Sequence, residues 1–246
     1  MRFFSRRTIY TSAGSVAAAA VAALVWNTNY GAMLTYIADE YAAANKAATI
    51  VAVAPPPQHI PTPEAVRAIY MTSWVAGTPS FRENLLKFMR ESEVNAVVID
   101  VKDYSGKVLF PTGNSFVERV GSEEERVPDM RAFIEELHRD TIYAIARISV
   151  FQDPYLASAR SDLAVKTKDG AVWKDRKGIS WGDPASREVW DYIIQVARAS
   201  EAAGFDELNF DYVRFPSDGD MLNIAFTKWD GTTPRSDILK EFFAYL

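Results

Sequence analysis

From residue 66 onward the apolar residues switch repeatedly between a period of two and a period near 3.6, and this alternation restricts the fold more than any other feature. VRAIYMTSW (66–74) reads as a strand. SFRENLLKFMRES (80–92) reads as a helix with Phe81, Leu85, Phe88 and Met89 along one face, and NAVVIDVKD (95–103) as a second strand. PDMRAFIEELHRD (128–140) is a helix with proline near its start, followed by the strand TIYAIARISVF (141–151). A longer helix is expected with Asp183 as its N-cap, Pro184 at its first position and Gly204 at its end. FDELNFDYVRF (205–215) is the fourth strand and RSDILKEFFAYL (235–246) the fourth helix.

Four strand–helix units in series imply a parallel sheet covered by helices. Such a sheet stays open and doubly wound or closes into a (β/α)8 TIM barrel. No G-x-G-x-x-G or Walker-type glycine loop follows any of the strands, which weakens nucleotide-binding forms of the open sheet. On the fourth strand, Leu208, Phe210 and Tyr212 would face the helices, leaving Glu207, Asn209 and Asp211 on the other side, as at the polar mouth of a barrel. The long insertion over 152–182 also follows the C-terminal end of a strand, where barrel enzymes build their sites. A complete barrel takes roughly 250 residues and eight units. Residues 65–246 are therefore expected to form only its first four units, as a truncated or partial barrel domain.

Ahead of that domain, Arg2, Arg6 and Arg7 precede an apolar run from about Ala13 to Trp26, the charge-then-apolar order of an export signal. As a spanning helix, residues 9–26 are at the short limit. As a cleaved signal, they lack a sharp A-x-A site, and Arg6–Arg7 in SRRTI resembles a twin-arginine signal. Residues 1–30 thus read as a signal or signal-anchor segment. Residues 31–64 read as an Ala-rich segment and a Pro-rich linker, whose five prolines between Pro55 and Pro63 favour an extended tether. Both readings put the domain outside the cytoplasm, secreted or membrane-anchored at a bacterial envelope.

Composition narrows the chemistry. With no cysteine there are no disulfides or thiolates, and the two histidines, His59 and His138, are too few for a His-based metal site or triad. A net charge of −5 shows no basic footprint for nucleic acid. Acid–base work falls to carboxylates, and no cofactor or metal is expected. Asp218 and Asp220 share a turn, but two carboxylates are too few for Ca2+.

VRAIYMTSW, NAVVIDVKDYSGKVLF, IYAIARISVFQDP and above all GFDELNFDYVRFP resemble a glycoside hydrolase family once catalogued as a bacterial domain of unknown function. That family is similar to the α-amylase-like and related glycosidase barrels. The resemblance spans residues 65–246 and implies a TIM-barrel domain acting on carbohydrate in exported or anchored proteins. In similar barrels the fourth strand ends on a carboxylate that attacks or stabilises the anomeric centre, and the matching residue is Asp211.

The physics of that position agrees: an oxocarbenium-like transition state needs negative charge beneath the sugar ring, and a second carboxyl must protonate the leaving oxygen. Arg147 or Arg214 would hold Asp211 charged, with Asn209 on the same face; an Asp–Arg pair that merely closes the strand is the alternative. Asp100 and Asp103 are the candidate proton donors, one facing the barrel axis and the other not, and Asp100 could instead form a buried pair with Lys102. Related barrels carry the donor on a later strand. Trp173 and Trp181, in a loop, and Trp74, at the first strand's end, are candidate stacking platforms for sugar rings, with local packing anchors as the alternative for each. FPTGNSF and SEEERVPD look like a solvated excursion. Hydrolysis of O-glycosidic bonds in a polysaccharide or envelope glycan is the expected function; a non-catalytic glycan-binding or scaffold protein on the same fold is the competitor.

Overall fold

AVVIDVK is an almost unbroken apolar run, the composition of a strand buried on both faces. It forms β2 (Ala96–Lys102), in the interior of a four-stranded sheet with β1 (Ala68–Met71), β3 (Tyr143–Ser149) and a later strand, Glu207–Asp211. All three pairings are parallel, and the order follows the chain. The computed structural model describes residues 55–246. The signal or anchor expected over 1–30 and the Ala-rich segment up to residue 54 lie outside the described residues. Among the described residues no helix is long and apolar enough to cross a membrane.

Between β1 and β2 lie α1 (Ser73–Gly77) and α2 (Pro79–Arg90). α2 turns Leu86 and Met89 inward, while Phe81 and Phe88, expected on its core face, are exposed. After β2 come α3 (Ser115–Val120) and α4 (Met130–Arg139), the latter capped by Asp129, whose carboxylate accepts from the Ala132 amide. β3 leads into α5 (Pro154–Ala159), a short 3-10 turn and β4 (Lys166–Thr167). α6 (Arg187–Ala203) precedes β5 (Glu207–Asp211), and β6 (Ile224–Ala225) pairs antiparallel with β4 before α7 (Arg235–Tyr245).

α6 starts three residues later than Pro184 would set it. Ser186 is its N-cap, with Oγ accepting from the Val189 amide, and Gly204 ends it in the left-handed region at φ 104°. Asp183 caps nothing there; its carboxylate accepts from the amides of Ala185, Thr227 and Lys228, tying α6's entrance to the segment after β6.

The two faces of the sheet differ. Val97, Ile99, Ala144, Ala146 and Ile148 join the main core with Phe133, Ile134 and Leu137 of α4 and Val189, Ile193 and Val196 of α6. The opposite face changes character along its length. Near the strands' N-terminal ends it is apolar, with Ala96, Tyr143 and Ile145 packed around Ile60. Toward the C-terminal ends it carries Asp100, Arg147, Asn209 and Asp211, which the strand register sets side by side.

Candidate active site

The β2–β3 register shifts between Asp100 and Lys102, and this irregularity sorts the two side chains. Asp100 stays on the polar face opposite Arg147. Lys102 is 0% exposed, its Nζ 2.9 Å from Asp153 and donating to the Ser149 carbonyl at 2.6 Å. The expected Asp100–Lys102 pair therefore does not form, and Lys102 is out of reach of a ligand. It fastens the end of β2 to the end of β3. Gly106 passes so close to this pair that a Cβ there would sit 2.2 Å from Asp153 Oδ1, and its φ is +81°. Only glycine serves at that approach.

Arg147 is the hub. Its Nη1 donates to Asp100 Oδ1 at 2.5 Å, while Nε and Nη2 both donate to Asp211 Oδ2, at 2.9 and 2.5 Å. Asp211 Oδ1 accepts from the Tyr212 amide at 2.7 Å, and Asp100 Oδ2 accepts from the Tyr70 hydroxyl. Burial alone would lower the basicity of Arg147, but its bonds to Asp100 and Asp211 outweigh burial and raise it above the ordinary arginine value. Tyr70 is likewise raised above the usual phenol, first by burial and then by its bond to Asp100, so it keeps its proton. Arg214 takes no part in this network; it is exposed, donates to Ser217 and lies over the Trp181 ring.

A cleft of about 640 Å³ opens at the C-terminal ends of β1 to β3, floored by Tyr70, Asp100 and Arg147 and flanked by Tyr212. Tyr212 leaves the strand's alternation: its φ of 55° turns it toward the cleft and edge-on to Trp181 instead of continuing the helix-facing row. Asp211 stands at the edge, joined to the wall through Arg147 and Tyr212, with 42% of its side chain exposed. Asp100 and Asp103 both line the cleft, because the chain turns at Asp103 instead of continuing as strand. Asp103 accepts from the Ser105 amide and hydroxyl and from the Ser73 hydroxyl.

The charge run SEEERVPD, which reads as solvated, supplies the far wall. Arg126 stacks 3.9 Å from the Trp74 ring centre, bonds Ser73 and Glu124, and pairs with Asp103. Glu124 also meets Lys107 at 3.4 Å, and its acidity is raised chiefly by the Arg126 hydrogen bond. Trp74 is 65% exposed. Trp173 and Trp181 are not platforms: each is 1% exposed. The Trp173 indole donates to the Asp220 carbonyl and the Trp181 indole to Asp175, which draws both rings inward. Asn209 is exposed on the polar face beside Arg147.

Sequence reasoning missed Tyr70, Arg126, Glu124 and Tyr212. Tyr70 alone carried a signal, its place on the same strand face as Asp100 once the sheet is taken as parallel and in register. Among the described residues no cluster of three or more acidic or His side chains is arranged to hold a metal ion.

Residues 68–246 match the family model described as "Putative glycosyl hydrolase domain". The chain belongs to this family. A hypothetical protein from Ruminiclostridium thermocellum shares 31% identity over 72% of this chain and 90% of its own, with a TM-score of 0.66. An α-galactosidase from Thermus thermophilus is 16% identical at a TM-score of 0.45, over 64% of this chain and 32% of that enzyme. A cycloalternan-degrading enzyme from Trueperella pyogenes is 15% identical at 0.43, over 78% and 31%. No curated protein matches the chain. The family membership covers β1 through α7, and so includes the whole Arg147 network.

Proposed function

We propose that this domain hydrolyses O-glycosidic bonds as part of a (β/α)8 barrel, of which β1, β2, β3 and β5 are consecutive strands, with Asp211 as the nucleophile or the stabiliser of the anomeric cation. The observation that carries the reading is the Arg147 guanidinium between Asp211 and Asp100, at the carboxyl ends of parallel strands, where α/β sheets bind ligands. Arg147 occupies Asp211 Oδ2 and the Tyr212 amide Oδ1, so the carboxylate is aimed and its rotamer fixed before substrate arrives. Negative charge held in place lowers the barrier to a cationic transition state without reorganisation. The N-terminal arginines and apolar run fit delivery of this domain to the envelope, where a polysaccharide or envelope glycan is its substrate.

Asp100 and Asp103 are poorly arranged as proton donors. Asp100 accepts on both oxygens, from Arg147 and Tyr70, and Asp103 accepts on both, from Ser105 and Ser73. A proton on either carboxyl would have to displace one of these bonds or reverse a hydroxyl to receive it, so neither is aimed at a leaving oxygen. That observation favours the second reading, a glycan-binding module without turnover.

Release of reducing sugar from a polysaccharide panel, compared with Asp211→Asn, separates the two. The hydrolase reading expects turnover to fall by roughly a thousandfold or more with the melting temperature unchanged. Binding without product by the wild type removes that reading in favour of the binding module.

A further inference from the structure

Three acids and three bases line the cleft, and each base is already taken. Arg147 is held by Asp100 and Asp211, Arg126 by Glu124 and Asp103, and Lys107 by Glu124 while its ammonium lies 4.2 Å from the Tyr155 ring centre. Asp211 at the edge leaves one negative charge in excess. A uronate, sulfate or phosphate entering here finds no unpaired cation among the lining residues and adds its own charge to that excess, which disfavours it. A sugar hydroxyl has no such difficulty, since it donates to the paired carboxylates and accepts from the guanidinium edges without displacing either.

The aromatic side chains point the same way. Trp74 sits on α1 directly after β1, and Arg126 stacks against its ring, which fixes the indole's orientation. The rest of the ring is open to solvent, and Tyr104, 60% exposed, lines the same cleft from the end of β2. A rigid, exposed indole beside paired polar groups suits the apolar face of a pyranose ring, whose rim of hydroxyls meets the ion pairs.

We infer that the cleft selects uncharged glycans, and that Trp74, braced by Arg126, forms a stacking subsite for a ring other than the one at Asp211. The inference deepens the proposed function and rests on the same cleft. Its test uses the full-length chain with Asp211 in place, since that residue supplies the excess charge, on an array of neutral, uronate-containing and sulfated glycans. The expected result is binding confined to neutral glycans, weakened about tenfold by adding Trp74→Ala and largely kept by Trp74→Phe, with unchanged melting. Preference for the acidic glycans, no glycan bound, or full binding by Trp74→Ala overturns it. Wild-type turnover is read separately. Product release that Trp74→Ala leaves untouched sinks the subsite and spares the hydrolase, whereas Trp74-dependent binding with no product does the reverse.

Discussion

The two ends of the sheet each organise around an aspartate on β5 or at its entrance, and they do so with different partners. At the C-terminal end Asp211 is 42% exposed and held by an arginine beside an open cleft. At the N-terminal end the Asp206 side chain is 1% exposed. Its Oδ1 accepts from the Ile60 amide at 2.8 Å, its Oδ2 accepts from the Ala144 amide at 2.8 Å, and His138 Nε2 lies 2.9 Å away. His59 approaches at 3.8 Å, so both histidines of the chain converge on this one carboxylate. The lower network closes on itself and ties β3, α4, β5 and the stretch around Ile60 together. The upper one leaves its carboxylate paired but open to solvent. Comparable charges thus close a packed interior at one end and border an open cleft at the other, and what distinguishes them is access.

The sharpest way to break this contrast is at Arg147. Arg147→Ala leaves Asp100, buried against β1 and β3, without its counter-charge and frees Asp211 to rotate. Turnover is expected to fall about a hundredfold and stability by about 2 kcal/mol, the latter below the cost of a fully buried pair because the cleft admits water. Arg147→Lys should recover stability and little activity, since an ammonium cannot hold both carboxylates in plane. Equal recovery of both would mean that Arg147 is only a charge. Stopped assays with urea titration of each variant decide.

Asp206→Ala is the matched change at the other end. It orphans the amides of Ile60 and Ala144, and about 2 kcal/mol of stability should go with them. Turnover per folded molecule should not change. A loss of turnover that persists after correction for the unfolded fraction would show that the two ends are coupled.

The reach of sequence reasoning followed the same divide. Strands β2 and β3 were legible because buried parallel strands leave long apolar runs, and the place of Asp211 at the end of its strand was legible from the alternation of ELNFD. The wall of Arg126 and Glu124 was not: three consecutive glutamates before an arginine look solvated, and only the fold of residues 108–127 against β2 brings them to Trp74. Lys102 was misplaced by one register irregularity, which a period-two reading cannot see. Of the two readings open for Trp173 and Trp181, the packing anchor holds and the platform does not. Here Asp175 accepts from the Trp181 indole, the Gln152 amide and the backbone amides of Lys177 and Ile179, and so builds an interior inside the loop.

Asp175 carries the pH dependence that this interior implies. Burial works to raise its pKa, yet its four donors together overcome that and leave it below the usual carboxylate value. A depressed folded value means that the stabilisation is complete above the unfolded carboxylate range, near 4. It drains away as pH falls through the lower folded value. Asp175→Asn should cost about 1.5 kcal/mol at neutral pH and flatten the acid limb of the stability curve. A curve that keeps its slope below pH 4 would assign the acid sensitivity to another group.

The smallest effects lie with the histidines, and their ratio tests whether the lower network is purely a clamp. His138 is nearly buried and within hydrogen-bonding distance of Asp206, so His138→Ala should cost about 1 kcal/mol by removing one of three partners of a buried carboxylate. His59 is 39% exposed and lies 3.7 Å from Glu201 and 3.8 Å from Asp206, beyond hydrogen-bonding range of either. His59→Ala should cost less than about 0.5 kcal/mol. Urea midpoints check both. If His59→Ala proves the costlier change, the stretch around Ile60 is held chiefly by charge and not by the Asp206 bond to its backbone, and the N-terminal end then resembles the mouth in depending on groups that solvent can reach.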